Sequence, residues 1–377
     1  MRILFFSTGC GVHEQRFLRA LASSRHEIFF LALQTTPGLP DGLRRVTQVF
    51  WPKDQLSSED QLLCRMPALL DILKRVRPDF VHAGPVQTCG FLSVLSEYCP
   101  VAVMSWGSDL LVRPELDPLD RWTATFALRH AEIFICDAEC VRMKALSLRG
   151  GAFRKILQIP WGVDLQQCAP DSQGSEIRRA LGWNDCFVLI STRNWEKSYD
   201  IFVTLEGFAA AHKEFPAARL VLLGSGSLKR DIESFIRDNN LQAAIHCPGR
   251  VDEARIANYF QAADVYVSSA PSDGSSVSLL QAFATGLPVI VADAVGNREW
   301  VSDENGWLAQ VASKHSFTDC ILKAARVGGS VRKRMSENNR RVAETRADWR
   351  VNSEKLLEMY DELEAEISAR REKLQDI

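Results

Sequence analysis

Residues 264–292 limit what this chain can fold into more than any other stretch. They read Asp-Val-Tyr-Val-Ser-Ser-Ala-Pro-Ser-Asp-Gly-Ser-Ser-Val-Ser-Leu-Leu-Gln-Ala-Phe-Ala-Thr-Gly-Leu-Pro-Val-Ile-Val-Ala. Val265–Ser268 is a short apolar strand, and Pro271-Ser-Asp-Gly274 is turn chemistry. Ser275 or Ser276 caps a helix that runs to Thr285, where Gly286 stops it. Leu287-Pro-Val-Ile-Val291 is then a second buried strand. A strand–helix–strand unit of this kind sets a helix N-terminus beside the carboxyl ends of parallel strands, where anions bind. The helix is apolar over most of its circumference, yet Ser278, Gln281 and Thr285 draw one polar stripe along it. A polar stripe on a buried helix needs partners. Either a neighbouring loop or a bound ligand supplies them, and the serine-rich loop before the helix favours a ligand.

The alternation of strand and helix extends through the chain. Strands are expected at 2–7, 27–33, 80–82, 101–105, 133–136 and 156–159, with helices near 60–76, 87–98, 118–130 and 138–148 between them. This pattern implies a parallel sheet covered on both faces. A polar, turn-rich linker follows at 168–175. The second half then repeats the plan, with strands at 187–190, 219–223, 244–251 and the unit already described. Beyond residue 299, helices are expected over 314–327 and 329–345, with an amphipathic tail that frays after Arg370. At 377 residues the chain is too long for one ordinary core, so two domains are expected.

Several function classes drop out. A net charge of −2 gives no electrostatic case for nucleic acid. The ten cysteines are scattered without a Cys-x2-Cys spacing, which argues against zinc and for reduced thiols in a cytoplasmic protein. Met1-Arg-Ile-Leu-Phe-Phe reads as a first strand and not a targeting segment, and no apolar run reaches the ~20 residues of a membrane helix. The loop Ser7-Thr-Gly9-Cys-Gly11 suggests a dinucleotide site, but Glu14 stands where a third glycine belongs. The second strand ends at Gln34 instead of an acidic ribose ligand. Nicotinamide chemistry is therefore set aside.

Pro271-Ser-Asp-Gly…Leu280-Gln-Ala-Phe-Ala-Thr-Gly-Leu-Pro-Val resembles the signature of the GT-B glycosyltransferases of family 4, the retaining nucleotide-sugar enzymes. That family carries two glutamates eight positions apart, and here those slots hold Asp273 and Gln281. The resemblance implies an α/β, GT-B architecture: two Rossmann-like doubly wound domains facing across a cleft, with a C-terminal helix crossing back to the first. The expected divisions are 1–168 on the acceptor side, 169–346 for the nucleotide sugar, and 347–377 for the crossover helix. Pro160-Trp-Gly-Val-Asp164 is similar to the family's interdomain junction. Trp106-Gly-Ser-Asp109 is similar to its His-Gly-Ser-Asp turn, with tryptophan in the histidine slot; Asp109 is either catalytic or a turn cap. His13 and His82 are weaker candidates, since either can be an ordinary satisfied histidine.

Arg193 and Lys197 follow a buried strand, and an Arg fork with a Lys point charge suits a diphosphate. The resemblance places the donor pyrophosphate there, with Gly11 near the phosphates and acceptor, and with Arg250 and Val251 offering main-chain groups to the base. Ser275, Ser276 and Val277 supply amides and the helix dipole. Gln281 contacts ribose hydroxyls, and Asp273 contacts the donor sugar or stabilises the developing cation. No Asp-x-Asp with strand context occurs, so neither a metal nor a separate cofactor is expected. The expected donor is a UDP- or GDP-type sugar, and the acceptor a glycan, a lipid-linked carrier or a small molecule. The basic run Arg332-Lys-Arg334 with Arg340-Arg341 is a solvated face, or else contacts anionic lipid as a peripheral membrane association. Two other readings stay open at this point: a GT-B nucleotide-sugar 2-epimerase, and a non-catalytic nucleotide-binding or partner subunit.

Overall fold

The computed structural model describes residues 1–34, 36, 38–52, 62–170 and 174–375. The chain forms two units, one of residues 1–159 with 350–377 and one of residues 160–349. In the first unit the strands are β1 (Arg2–Ser7), β2 (Glu27–Ala32), β3 (Val46–Val49), β4 (Phe80–Ala83), β5 (Val101–Met104), β6 (Ile133–Cys136) and β7 (Lys155–Gln158). They pair in parallel in the order β3-β2-β1-β4-β5-β6-β7. The second unit has β8 (Phe187–Ser191), β9 (Ala218–Leu223), β10 (Ile245–Gly249), β11 (Val265–Ser268), β12 (Val289–Ala292) and β13 (Gly306–Ala309). Their order is β10-β9-β8-β11-β12-β13, again all parallel.

The continuous apolar runs that suggested doubly covered strands are buried on both faces, as Ile3, Leu4, Phe5 and Phe6 show. In each sheet the strand order reverses once, between β1 and β4 and between β8 and β11. At such a switch point the loops leaving two neighbouring strands part in opposite directions and open a crevice at the carboxyl edge.

The helix expected over 118–130 spans Pro118–His130, and that near 138–148 spans Glu139–Arg149. The expected 60–76 helix is a 3-10 turn at Leu62–Arg65 leading into Met66–Val76; its first residues lie outside the described ones. The 87–98 segment is split into a wide turn at Val86–Gly90 and a helix at Phe91–Leu95. The final helix, Trp349–Gln375, continues past Arg370. It belongs to the first unit, where buried Tyr360 bonds to His82 Nδ1 and the Met1 ammonium pairs with Glu364. Arg25 reaches both Asp361 (3.0 Å) and Glu364 (2.8 Å).

The division between the units falls after residue 159, nine residues before the expected 168. Pro160–Cys168 is held by the second unit. The Val163 amide donates to Ala347 O at 2.7 Å, Trp349 N donates to Val163 O at 3.1 Å, and Cys168 packs in the core around Tyr266 and Phe283. Arg340 donates to Leu165 O and Cys168 O. The basic run is partly tied down: Arg332 faces Asp264 at 3.6 Å, Arg340 binds Glu344 at 2.7 Å, and Arg341 donates to Asn338. Lys333, Arg334 and Arg341 stay exposed on the same helix, so the run is a partly bonded, partly solvated face.

Candidate active site

The βαβ unit forms as its sequence suggests. The helix is Val277–Ala284, capped by Ser276, whose side chain accepts from Leu279 N. Gly286, at φ +76, ends it: Leu287 N reaches back to Ala282 O at 2.8 Å. Asp273, Ser275, Ser276, Val277 and Gln281 therefore surround the carboxyl end of β11, next to the loop leaving β8. This is the switch point of the second sheet.

Two loops meet there. Arg193 leaves β8 and donates from Nε to Ser268 Oγ at 3.1 Å, at the last residue of β11. Its Nη2 pairs with Asp273, and its guanidinium carbon lies 5.3 Å from the Tyr199 ring centre. Burial opposes the guanidinium charge, but Asp273 overcomes that and raises its pKa. The Arg193 loop is braced from behind by Gly224-Ser-Gly226. A Cβ on Gly224 would meet Arg193 O at 2.7 Å and one on Gly226 would meet Trp195 O at 2.3 Å, so only glycine permits this approach. Glu196 fastens the same loop by accepting from the Ser227 amide at 2.9 Å. On the other side, Gly296 packs under Asp273; a Cβ there would lie 2.0 Å from Asp273 O.

Within the polar stripe, Thr285 is satisfied by the carbonyls of Gln281 and Ala282, both at 3.0 Å. Gln281 is 8% exposed, and its amide has no protein partner among the described residues. Neither amide atom is fully enclosed, so the group is open to water and can exchange that water for a ligand. Lys197 is exposed at the start of the 3-10 turn Lys197–Tyr199. Arg250 is exposed just past β10, and Val251 is partly buried against the second core.

The first unit arranges its candidates differently. Gly11 precedes the helix Val12–Ala22, but its amide already donates to Glu14 Oε2 at 3.0 Å, and Ser7 Oγ donates to the other Glu14 oxygen at 2.9 Å. A carboxylate that holds this N-cap amide disfavours a phosphate there, so the Gly11 amide is not free for the phosphates expected beside it. Asp109 is 5% exposed, and both its oxygens are bonded. Ser105 Oγ (2.7 Å) and Trp106 N (2.9 Å) donate to one, Val86 N (3.0 Å) to the other. Burial raises its pKa while those donors lower it. Of the two roles expected for Asp109, this is the turn cap: it ties the loops leaving β4 and β5 and presents Trp106, without offering an oxygen to substrate. His82 is fully buried between Tyr360 and Met104 Sδ, and burial drops its pKa to about 3. It is the satisfied core histidine. Among the described residues, the one trio suited to a metal is His26, Asp361 and Glu364, where Arg25 and the N-terminal ammonium already contact the carboxylates.

Two family models match this chain: "Glycosyl transferase 4-like" over residues 2–138 and "Glycosyl transferases group 1" over residues 174–342. The chain belongs to the GT4-type glycosyltransferases. Among its relatives is the UDP-Gal:alpha-D-GlcNAc-diphosphoundecaprenol alpha-1,3-galactosyltransferase of Escherichia coli. It is 26% identical over 273 residues, which is 68% of each chain. Sulfoquinovosyl transferase SQD2 of Arabidopsis thaliana is 22% identical over 334 residues, covering 82% of this chain and 61% of that protein. In structure this chain is similar to Anabaena Alr3699/HepE, crystallised with UDP-glucose, at a TM-score of 0.79 and 19% identity, over 96% of this chain and 100% of that one. The fold is GT-B.

In this glycosyltransferase the Asp273 and Gln281 slots flank the start of one helix, one side chain bonded and the other unpartnered. Sequence reasoning missed Ser268, Tyr199, Glu196 and Gly296: Ser268, Glu196 and Gly296 act through contacts with other loops, 75, 31 and 23 residues away, and Tyr199 meets Arg193 within its own loop. The glycines at 224, 226 and 296, each just after a buried strand, were the available signal.

Proposed function

We propose that this glycosyltransferase is a retaining hexosyltransferase that moves a sugar from a UDP-type nucleotide sugar to a hydroxyl on a lipid-linked acceptor, with no metal in the reaction. The observation that carries the donor half is the switch point itself. Arg193 and a helix N-terminus converge on one crevice beside the unpartnered amide of Gln281. The diphosphate would take the guanidinium and the first-turn amides, the ribose hydroxyls would take Gln281, and Lys197 would add a flexible charge. The main-chain groups of Arg250 and Val251 would take the base, as a further part of the same reading.

In the transfer, the bond from the anomeric carbon to the diphosphate oxygen breaks and its electron pair leaves with the diphosphate. The acceptor oxygen bonds to that carbon on the same face, and its proton passes to the departing phosphate oxygen. Charge grows on the diphosphate as this happens, so preorganised Arg193 and helix amides stabilise the transition state more than the ground state. Asp273 would stabilise the positive character at the sugar.

The acceptor class is supported by the surface at the first sheet's carboxyl edge. The segment leaving β5 exposes Leu116 (78%), Leu119 (65%) and Trp122 (56%). Apolar and amphipathic side chains grouped at a ligand-binding edge suit an acceptor carrying a hydrocarbon chain. The Escherichia coli relative is named for a diphosphoundecaprenol acceptor.

The test is transfer from UDP-glucose, UDP-galactose and UDP-N-acetylglucosamine to a polyprenyl-diphosphate glycoside in mixed micelles and to its short-chain analogue, with and without EDTA. Expected are one α-linked product from an α-donor, preference for the long chain, and no loss in EDTA. Release of UDP without acceptor, or an inverted product, would overturn the reading.

A further inference from the structure

The cation that should hold the diphosphate already has an anion. Arg193 is fixed by two neutral groups, Ser268 Oγ at Nε (3.1 Å) and the Tyr199 ring against its face (5.3 Å). Its Nη2 is given to Asp273, while Nη1 has no partner among the described residues. Both partners of the ion pair are largely buried, with side chains 12% and 20% exposed. A guanidinium binds phosphate best through two parallel N–H bonds from one edge, and here half of the Nη edge is taken. Carboxylate and phosphate must therefore compete for the same nitrogen.

The main chain gives Asp273 little freedom to yield, because Gly296 packs directly beneath its carbonyl. The short side chain can swing instead. We propose that Asp273 latches Arg193 before a donor arrives and that a nucleoside diphosphate opens the latch, taking the guanidinium and turning the freed carboxylate towards the donor sugar. This rests on the donor-site reading above and adds a discrimination to it. A bare nucleoside diphosphate breaks the ion pair and gives Asp273 nothing in return. An intact nucleotide sugar offers hydroxyls to the released carboxylate. The latch thus favours donor over spent nucleotide and hastens product release. Ser268 and Tyr199 are positioning residues, since they hold the guanidinium while its anionic partner changes.

The test is calorimetric titration of bare UDP and GDP into wild type, Asp273→Asn, Asp273→Ala and Asp273→Glu, with circular dichroism to confirm folding. Removing the competing charge should tighten the bare nucleotide about tenfold in the Asn and Ala variants, with Glu staying near wild type. Affinity for the nucleotide sugar should rise less, and turnover should fall in both neutral variants. A bare nucleotide that binds Asp273→Asn and Asp273→Ala no tighter than wild type, while Arg193→Ala loses it, overturns the latch and leaves the donor site standing. If wild type binds neither nucleotide, or Arg193→Ala binds like wild type, both fall. Ser268→Ala should raise KM for the donor more than it lowers kcat, and Ser268→Thr should restore it; an effect on kcat alone would remove Ser268 from this role.

Discussion

Replacing Gly296 by alanine isolates the support under Asp273. The backbone there, φ −70 and ψ −35, is helical and accepts any residue, so no conformational strain enters. The whole effect is steric. The new Cβ would lie 2.0 Å from Asp273 O and 2.6 Å from Gly274 O, and both atoms are main chain. Reaching ordinary contact at 3.4 Å requires the Asp273 loop to retreat by about 1.4 Å. Overpacking of this kind costs ~1–3 kcal/mol, a few degrees in Tm for each kcal/mol in a unit this size. The catalytic consequence is larger, because a displacement of ~1 Å in a positioned group can cost ~100-fold in rate. Expected in Gly296→Ala, then, is a folded protein, slightly less heat-stable, with kcat lower by about two orders of magnitude at saturating donor. Gly328→Ala is the control, since a Cβ there meets nothing within 4 Å. A Gly296→Ala enzyme with kcat within twofold of wild type would refute the claim that this contact sets the Asp273 loop.

Two further outcomes follow from the site and the core. Gln281→Leu removes an amide assigned to the ribose, and about 1 kcal/mol of lost hydrogen bonding should weaken nucleotide binding ~5-fold; unchanged affinity by titration would remove Gln281 from the ribose site. Burial lowers the pKa of His82 from 6.5 to about 3, so between those values the unfolded chain binds a proton that the folded one does not. Stability is therefore fully present above pH 6.5 and falls as pH drops towards 3, by up to ~1.4 kcal/mol per pH unit from this group. Denaturant unfolding at pH 7, 6 and 5 should show a shallower decline in His82→Gln than in wild type, and parallel declines would contradict the assignment.

What was legible in the sequence was local. Gly286 after an apolar helix and Ser276 before it both act within a turn, and the helix they bound falls where expected. The buried strands were equally plain, because doubly covered strands have no polar face to confuse the reading. β3, Val-Thr-Gln-Val, was missed: an edge strand, partly exposed, it lacks that apolar run. The short helices at Ser108–Leu111 and Arg113–Leu116 are too brief for periodicity to show. The site residues divide on the same line. Arg193 was visible from its place after β8, but its partner Asp273 is 80 residues away in sequence. Asp109 was left between catalysis and capping because the donor that decides it, Val86 N, arrives from another strand's loop. Whether Pro160–Cys168 belongs to the first or second unit depends on Ala347 and Arg340, more than 170 residues downstream.

The β8–β11 switch point is proposed to bind a nucleoside diphosphate through Arg193. Thermal melting with UDP, GDP and ADP, on wild type and on Arg193→Ala, tests it directly. At ~100-fold excess over Kd, a ligand bound only to the folded state adds about 2.7 kcal/mol. UDP should raise the wild-type Tm by several degrees, and Arg193→Ala, itself folded, should lose most of that rise. A UDP-dependent rise of equal size in both proteins, or none with any of the three nucleotides, would contradict that proposal.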